Sequence, residues 1–499
     1  MPAFGTPPGV LPQGSFPAPA AAPLREPFEQ GAPRGRSARE RAAILVSLVL
    51  AVLLVAGSGA TAWYLTADEA PAGPAAGRTA EADAKPASVK GGQLIGTRQP
   101  DLGGDSTLGA HGLWVTERIV AKGEPYAVAG YDSVSGAEKW RLKLPGEICA
   151  AAPHASADGR TAVAFRERRP KHKSDYPPCS QVALIDLGTG RKLWQDAGTD
   201  GDQPLNLDQV TVGGGAVAAG GTGGAIAWRL SGGEPLWQSQ PGANCSEDGF
   251  AGGAALIAVV RCGDYSKPQL RVEKVDINTK QPVWSYRLPN GTRYAQVLST
   301  EPTVIGLTLG EASRTTDLLS LDGQGRLRAR ISLGTAAHSS DATQYEPHCS
   351  FDPIESCRTF AVDDSHVYLP SAEHNSPTGD GRTNEIVAFD LGTGRAGAKY
   401  DAGNGRTILP LRTAGGKLLA YLTPTYKESG SVVAIDTTDG SREVWLRLPD
   451  SQKDIANQLS PERDQAIFAY GRLYMGSSRI STRSYSGPER YLLLAYGSD

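Results

Sequence analysis

The sequence lacks the features that identify several classes of protein. Its 499 residues carry a formal net charge of −3, so no basic excess points to nucleic-acid binding. It contains no Gly-x-x-x-x-Gly-Lys-Ser/Thr phosphate loop, no Gly-x-Ser-x-Gly nucleophile elbow and no Cys-x-x-Cys-His haem site. His338, Asp341, His348 and Asp352 lie close together, but their spacing fits no recognised set of metal ligands. We therefore predict no catalytic, cofactor-binding or metal-binding residue.

Cysteine is absent from the first 148 residues, and the six cysteines that follow all lie on one side of a long apolar run. An even number of cysteines in this arrangement indicates disulfide bonds formed in an oxidising compartment. Six cysteines allow many connectivities, and we favour bonds between neighbours in the sequence. The predicted pairs are Cys149 with Cys179, Cys245 with Cys262, and Cys349 with Cys357.

The N-terminal part predicts a membrane anchor. Residues 1–41 are rich in Pro, Gly and Ala and have no periodic apolar pattern, which predicts a disordered tail. Residues 42–66 carry no charge, and a helix of this length, at about 1.5 Å per residue, can span a bilayer core of about 30 Å. Five arginines precede the run and Asp68 and Glu69 follow it. The positive-inside rule therefore predicts a cytoplasmic tail, with the rest of the chain outside the cell.

A cleaved signal peptide is the alternative, because Ala60-Thr61-Ala62 resembles a cleavage site. We favour a retained transmembrane helix, since the apolar run is longer than a typical signal core and the segment before it is unusually long. Residues 67–90, rich in Ala, Pro and Gly, predict a flexible linker, and residues 91–499 form the folded part. This organisation predicts a single-pass protein of the cell membrane.

One pattern recurs along the folded part: an apolar run, Asp, three residues, Gly, three residues and Trp. The turn Gly, or the residue in its place, falls at positions 136, 190, 233, 280, 325, 394 and 440. Most of these spacings match a four-stranded propeller blade of about 40–50 residues. The residues that carry the pattern are Asp132, Gly136, Trp140, Asp186, Gly190, Trp194, Gly233, Trp237, Asp276, Trp284, Asp390, Gly394, Asp436, Gly440 and Trp445.

Each repeat has the chemistry of a strand, a turn and a second strand. VALIDL and VVAID are short apolar runs bounded by turn residues, which predicts strands rather than helices. The Asp can accept hydrogen bonds from backbone N–H groups two residues on, and the Gly adopts the positive φ of a tight turn. A lone blade has no core in which to bury a Trp, so we predict that each Trp packs against the neighbouring blade.

Eight further strands are predicted beside only seven motifs. The last of them leads into YLLLAYGSD (491–499), which begins like a motif strand and has no outer partner. QLIGTRQP (93–100) can supply that outer strand, which would close the ring and cover the open edge. We predict an all-β fold, a β-propeller of eight four-stranded blades over residues 91–499, with seven blades as the alternative.

The repeats resemble the tryptophan-docking repeats of the pyrroloquinoline quinone (PQQ) β-propeller superfamily, whose pattern is roughly A-x-D-x-x-T-G-x-x-x-W. ALIDLGTGRKLW (183–194) is a close match, AFDLGTGR (388–395) and AIDTTDG (434–440) are partial ones, and the resemblance extends over residues 91–499. The superfamily includes quinoprotein alcohol dehydrogenases, outer-membrane assembly lipoproteins and extracellular sensor domains of bacterial kinases. Membrane-anchored members with a Pro-rich cytoplasmic tail resemble those of actinobacteria.

The resemblance to quinoprotein dehydrogenases implies a quinone held under two adjacent disulfide-bonded cysteines, together with calcium and an Asp base. This sequence has no adjacent Cys pair. We therefore predict a non-catalytic binding, sensing or assembly scaffold, whose partner is another cell-surface protein or a cell-wall polymer. The alternatives are a PQQ- and calcium-dependent oxidoreductase and a propeller that binds cell-wall polysaccharide. RERRPKHK (166–173) is a candidate for binding an acidic polymer, although a solvated loop also accounts for it.

Overall fold

The structure is a computed structural model, and it describes only part of the chain. The described residues are 85–101, 107–172, 174–221, 224–239, 244–263, 267–279, 281–334, 344–350, 353–481 and 489–498. The predicted cytoplasmic tail, the predicted transmembrane helix and nearly all of the predicted linker lie outside these residues. Within the described part of the chain, no helix has the length and apolar character needed to cross a membrane.

The described residues form eight four-stranded antiparallel sheets, which we number as blades 1 to 8. Blades 1 to 4 consist of Leu113–Val115, Ile119–Glu124, Ala127–Asp132 and Glu138–Lys143; Ile148–Ala151, Arg160–Phe165, Gln181–Asp186 and Lys192–Ala197; Gln209–Gly213, Ala216–Gly221, Gly224–Arg229 and Pro235–Gln238; Cys245–Ala251, Ile257–Cys262, Gln269–Val275 and Pro282–Arg287. Blades 5 to 8 consist of Thr292–Thr300, Thr303–Leu309, Asp317–Leu321 and Leu327–Ser332; Ala361–Val362, His366–Pro370, Glu385–Asp390 and Ala396–Asp401; Ile408–Ala414, Lys417–Leu422, Ser431–Asp436 and Arg442–Arg447; Gln465–Ala469, Arg472–Gly476, Tyr491–Gly497 and Gly92–Arg98.

Smaller elements lie in the connections between these strands. Three two-stranded ladders pair Thr107–Gly109 with Arg479–Ser481, Thr199–Asp200 with Gln203–Pro204, and His374–Asn375 with Arg382–Thr383. A 3₁₀ turn, Asp450–Gln452, and a one-turn α-helix, Lys453–Ala456, lie between blades 7 and 8. Ahead of the closing strand, the backbone of Gly91 donates to the carbonyl of Arg447 and pairs this segment with the outer edge of blade 7.

The core lies between the blades, because each sheet is covered on both sides. In the third strand of blade 2, Val182 and Leu184 pack into an apolar cluster with blade 3, whereas Ala183 and Ile185 pack into another with blade 1. A strand that is buried on both faces reads as a continuous apolar run rather than an alternating one. This is the physical reason for the VALIDL pattern.

The ring closes through the N-terminal strand. Gly92–Arg98 pairs antiparallel with Tyr491–Gly497 as the outermost strand of blade 8, and the first strand of blade 8 contacts the first strand of blade 1. Ile95 is 2% exposed and packs among residues of blades 8 and 1. The prediction of eight blades, closed by QLIGTRQP, is confirmed, and the seven-blade alternative is wrong.

Candidate binding face

The two ends of the blades differ in the connections they carry. Because consecutive antiparallel strands reverse direction, turns from first to second and from third to fourth strands lie at one end, which we call the turn face. Connections from second to third strands, and from one blade to the next, lie at the other end, which we call the loop face. The longest connections all join strand ends at the loop face: 99–112, 166–180, 333–360, 371–384, 448–464 and 477–490.

The turn face carries the repeated Asp and Gly residues. Asp132 Oδ1 accepts hydrogen bonds from the backbone N–H groups of Val134 and Ser135, at 3.2 and 2.9 Å. The Ser135 hydrogen bonds lower the pKa of Asp132 below its ordinary value. The same turn geometry recurs at Asp186, Asp276, Asp390 and Asp436. The turn glycines have φ between 69° and 77° at Gly136, Gly190, Gly233, Gly394 and Gly440.

Three of the tryptophans lie on the turn glycine of the next blade. A Cβ added to Gly190 would come 2.4 Å from Cδ2 of Trp140, and Trp140 Nε1 donates to the carbonyl of Leu187 at 3.1 Å. The pairs Trp194 with Gly233 and Trp284 with Gly325 have the same arrangement, at 2.7 and 2.6 Å. Only glycine leaves room for the indole at these positions, and only glycine adopts their positive φ without strain.

The remaining junctions are built differently. Trp237 lies 5.1 Å from Phe250 and Trp445 lies 6.1 Å from Phe468, measured between ring centroids. Where no Trp is present, other groups face the next turn: the Arg330 carbonyl with Ala329 at Gly394, Tyr400 at Gly440, and the Leu94 carbonyl with Ile95 at Gly136.

All three disulfide bonds lie on the loop face. They join Cys149 to Cys179, Cys245 to Cys262, and Cys349 to Cys357, which are the predicted pairs. Cys179 ends the long connection of blade 2, and Cys245 lies directly opposite Cys262 across two strands of blade 4. The third bond, between Cys349 and Cys357, joins two residues eight positions apart in the connection between blades 5 and 6. Disulfides restrict the freedom of such loops and favour a fixed surface.

Residues 353–357, between blades 5 and 6, reach the axis of the ring, which is lined by the first strands of the blades. The backbone N–H of Ile354 donates to Oε1 of Gln209 in blade 3, at 3.1 Å, and its carbonyl accepts from Val297 in blade 5, at 2.9 Å. Glu355 reaches the turn-face end, where Oε1 accepts from Gly252 N at 3.0 Å and lies 2.7 Å from His154 Nε2. We call residues 353–357 the axial plug.

The basic stretch lies on the loop face and is partly neutralised. Arg168 pairs with Asp175 at 2.5 Å, and Arg166 donates to the carbonyl of Pro177. Arg169 lies 4.1 Å above the ring of Tyr126 in blade 1. Much of this stretch is thus used to hold its own loop in place, as expected for a solvated loop.

A buried lysine supports the loop-face end of blade 1. Lys122 is fully buried, and its Nζ donates to the carbonyls of Ala110, Gly112 and Gly123, at 2.5, 3.0 and 3.0 Å. Burial lowers the pKa of Lys122 to about 7.

Among the described residues, no group of three or more His, Cys, Asp or Glu side chains could hold a metal ion. Of His338, Asp341, His348 and Asp352, only His348 lies within the described residues. Its Nδ1 lies 2.6 Å from Thr359 Oγ1.

Family comparison agrees with this architecture. The family model described as "Outer membrane protein assembly factor BamB" (PQQ_2) matches residues 51–248 and 178–346, which together cover more than half of the chain. The chain belongs to this PQQ-like β-propeller family. No curated protein matches the chain.

Several solved structures resemble this PQQ-like propeller at low sequence identity. BamB from Moraxella catarrhalis is 12% identical with a TM-score of 0.41, over 79% of this chain and 98% of that one. A europium-containing methanol dehydrogenase is 11% identical with a TM-score of 0.44, over 82% and 93% of the two chains. Quinohemoprotein alcohol dehydrogenase from Comamonas testosteroni is 12% identical with a TM-score of 0.42, over 82% and 75%.

Sequence reasoning missed two features of this PQQ-like propeller. One is the axial plug, whose only sequence signal is the longer interval between the motif glycines at 325 and 394. The other is a group of basic side chains at the loop-face end of blades 8 and 1, contributed by His111, Lys122, Arg358 and Arg479. These residues are far apart in the sequence and form no motif.

Proposed function

We propose that the chain is a non-catalytic propeller, anchored in the membrane by residues 42–66 and lying outside the cell, whose loop face binds a protein or a cell-wall polymer in sensing or assembly. The observation that carries the proposal is the asymmetry between the two faces. The longest connections and all three disulfides belong to the loop face, whereas the turn face consists mainly of short repeated turns. Long loops on a rigid scaffold are where binding residues concentrate.

Exposed aromatic side chains support the loop face as the binding surface. Tyr176 is 79% exposed and Tyr426 is 93% exposed, and both lie in loop-face connections. They are the two most exposed large hydrophobic side chains of the described residues. Tyr is enriched in interfaces because it combines a large apolar ring with a hydrogen-bonding hydroxyl.

We further propose that the chain functions without PQQ and calcium. Its disulfides join residues 30, 17 and 8 positions apart, so none is a ring of adjacent cysteines. Near the axis, Ile354 and Glu355 occupy space between the first strands and contact groups of blades 2 to 5. The residues present therefore do not fit the quinone site that the dehydrogenase resemblance implies.

Titrating the full chain with PQQ and calcium should produce no saturable rise in melting temperature. A ligand that binds the native state alone stabilises it as its concentration exceeds the dissociation constant. Thermal shift measured with PQQ, with calcium, and with both together checks this expectation. A saturable shift that needs both ligands, followed by dye-linked alcohol oxidation, would refute the non-catalytic proposal.

Photo-crosslinking in intact cells should give adducts from the loop face and not from the turn face. A photo-reactive amino acid placed at Tyr176 or Tyr426 should capture the partner, because both positions are exposed. Val134, which is 48% exposed in a turn-face turn, is the matched control. Discrete adducts read by gel mobility and mass spectrometry at 176 or 426 support the proposal. Adducts at 134 alone, or at none of the three positions, contradict it.

A further inference from the structure

The loop-face end of blades 8 and 1 brings together basic side chains from three separate segments. Gly109 pairs with Arg479 in a short ladder, and the backbone N–H of Ala110 donates to the carbonyl of Ser478 at 2.9 Å. The ring of His111 folds back over Gly109, since a Cβ added there would come 2.1 Å from His111 Nε2. Backbone pairing thus places the His111 ring beside Arg479.

Arg358 enters the same place from the loop that forms the axial plug. Its Nη1 donates to the carbonyl of Arg463 and lies 3.4 Å from Oγ of Ser478, the residue before Arg479. Both Arg358 and Arg479 are exposed. We call His111, Lys122, Arg358 and Arg479 the cationic cluster.

The buried Lys122 lies behind the exposed members. Its ammonium donates to the carbonyls of Ala110 and Gly112, the two neighbours of His111. Because burial lowers the pKa of Lys122 to about 7, this ammonium is only partly protonated near neutral pH. In its protonated form it adds to the positive potential at the surface above it, since solvent screens a buried charge weakly. Burial, together with the charges of Lys122, Arg358 and Arg479, lowers the pKa of His111 to about 4, so the His111 ring is neutral near pH 7 and donates through one ring N–H.

Two carboxylates, those of Asp464 and Glu124, lie near the cluster. Both carboxylate oxygens of Asp464 accept hydrogen bonds from backbone N–H groups, Oδ1 from Ser478 at 3.1 Å and Oδ2 from Ser460 at 3.1 Å. Glu124, which faces Lys122, pairs with Arg141 at 2.6 Å. Among the described residues, the side chain of Arg479 has no hydrogen-bond or ion-pair partner. The two guanidinium groups of Arg358 and Arg479 therefore outweigh the single charge of Asp464, and the cluster has free donors at an accessible surface.

We propose that the cationic cluster is a phosphate-binding site, in which Arg358, Arg479 and the His111 ring donate to one phosphate group. Guanidinium groups bind phosphate through paired, charge-assisted hydrogen bonds. Donors that arrive from three segments suit a tetrahedral oxyanion better than a planar carboxylate with two oxygens. The proposal rests on the proposed function and adds to it the class of ligand that the loop face binds. The phosphate is either the free anion or part of a phosphodiester polymer.

Isothermal titration of the full chain with inorganic phosphate, at constant ionic strength, tests the proposal. We expect saturable binding that acetate does not reproduce, and Arg479→Gln should weaken it by about tenfold or more, since a hydrogen bond to a charged group contributes about 1.5–3 kcal/mol. Arg118→Gln is the matched control, because Arg118 is also exposed but lies in a turn of the turn face. His111→Gln, a second variant at the cluster, should also weaken binding.

A second measurement, the pKa of His111, separates phosphate binding at the cluster from nonspecific electrostatic attraction of phosphate to the protein. Bound phosphate should raise the pKa of His111 from about 4 toward its ordinary value of 6.5, measured by NMR titration of labelled histidines. Poly(glycerol phosphate) distinguishes the sources: binding that depends on Arg479 identifies a polymer site, and binding of inorganic phosphate alone identifies a free-anion site. No phosphate binding, or equal loss in Arg479→Gln and Arg118→Gln, would overturn the proposal. Loop-face cross-links that persist in that case would leave the proposed function standing.

Discussion

Replacing Ile95 with aspartate should open the ring at the seam between blades 8 and 1. Ile95 is 2% exposed and packs with Leu113, Tyr131 and Leu493 in the cluster that joins the two blades. An unpaired carboxylate buried in such an apolar site is strongly destabilising, by about 3 kcal/mol or more. We expect a lower melting temperature and faster proteolysis of the segment before blade 1. Without its outer strand, Tyr491–Gly497 becomes an open edge that favours aggregation.

Arg98→Ala is the matched control in the same strand. The Arg98 side chain is 65% exposed and pairs with Glu489, 56% exposed, so its loss should cost less than about 1 kcal/mol. Ile95→Ala provides a graded variant should the aspartate form fail to accumulate, with an expected loss of about 2–5 kcal/mol. If Ile95→Ala and Arg98→Ala melt at the same temperature, the N-terminal strand does not hold the ring together.

The closing strand could be predicted because it follows from counting strands. Eight predicted strands accompany only seven motifs, and YLLLAYGSD has no outer partner, so the sequence predicts that another segment supplies the missing strand. QLIGTRQP was an extended segment at the other end. Closure by this route is favoured whenever it removes an exposed sheet edge. The strand pattern of QLIGTRQP and the need to close the ring point to the same segment, so the closing strand could be predicted from the sequence.

The axial plug could not be predicted, because its partners are set by the three-dimensional fold. Ile354 binds Gln209 from 145 positions away, and both contacts of its backbone are to groups that carry no sequence signature. The cationic cluster is hidden for the same reason. Arg358 and Ser478 are 120 positions apart and meet only because the blade 5–6 loop crosses the loop face. Motif searches find residues that are close in sequence, and these are not.

Replacing Gly190 with alanine should destabilise the propeller at the junction of blades 1 and 2. Gly190 has a φ of 71°, where an L-residue is strained by about 1–2 kcal/mol. The added Cβ would also come 2.4 Å from Cδ2 of Trp140, so the indole has to move. Losing a packed Trp costs about 3–5 kcal/mol. We expect a total loss of about 3 kcal/mol or more, measured by chemical and thermal unfolding.

Gly188→Ala is the control within the same turn. A Cβ at Gly188 meets only the Asp186 carboxylate, at 3.3 Å, and the residue has no positive φ. Its cost should stay below about 1 kcal/mol, the range of ordinary surface changes. A large effect at Gly188 as well would mean that the turn tolerates no alanine, and the contact with Trp140 would not be the cause.

A double-mutant cycle of Trp140 and Gly190 measures how much the Trp140 indole contributes to the stability of the junction. In a Trp140→Ala background there is no indole to displace, so Gly190→Ala should cost only the backbone strain of about 1–2 kcal/mol. The two single changes should therefore be strongly non-additive, as expected for residues in contact. If Gly190→Ala costs the same in both backgrounds, Trp140 does not dock blade 1 onto blade 2. The repeated Trp would then be a feature of the single blade rather than of the ring.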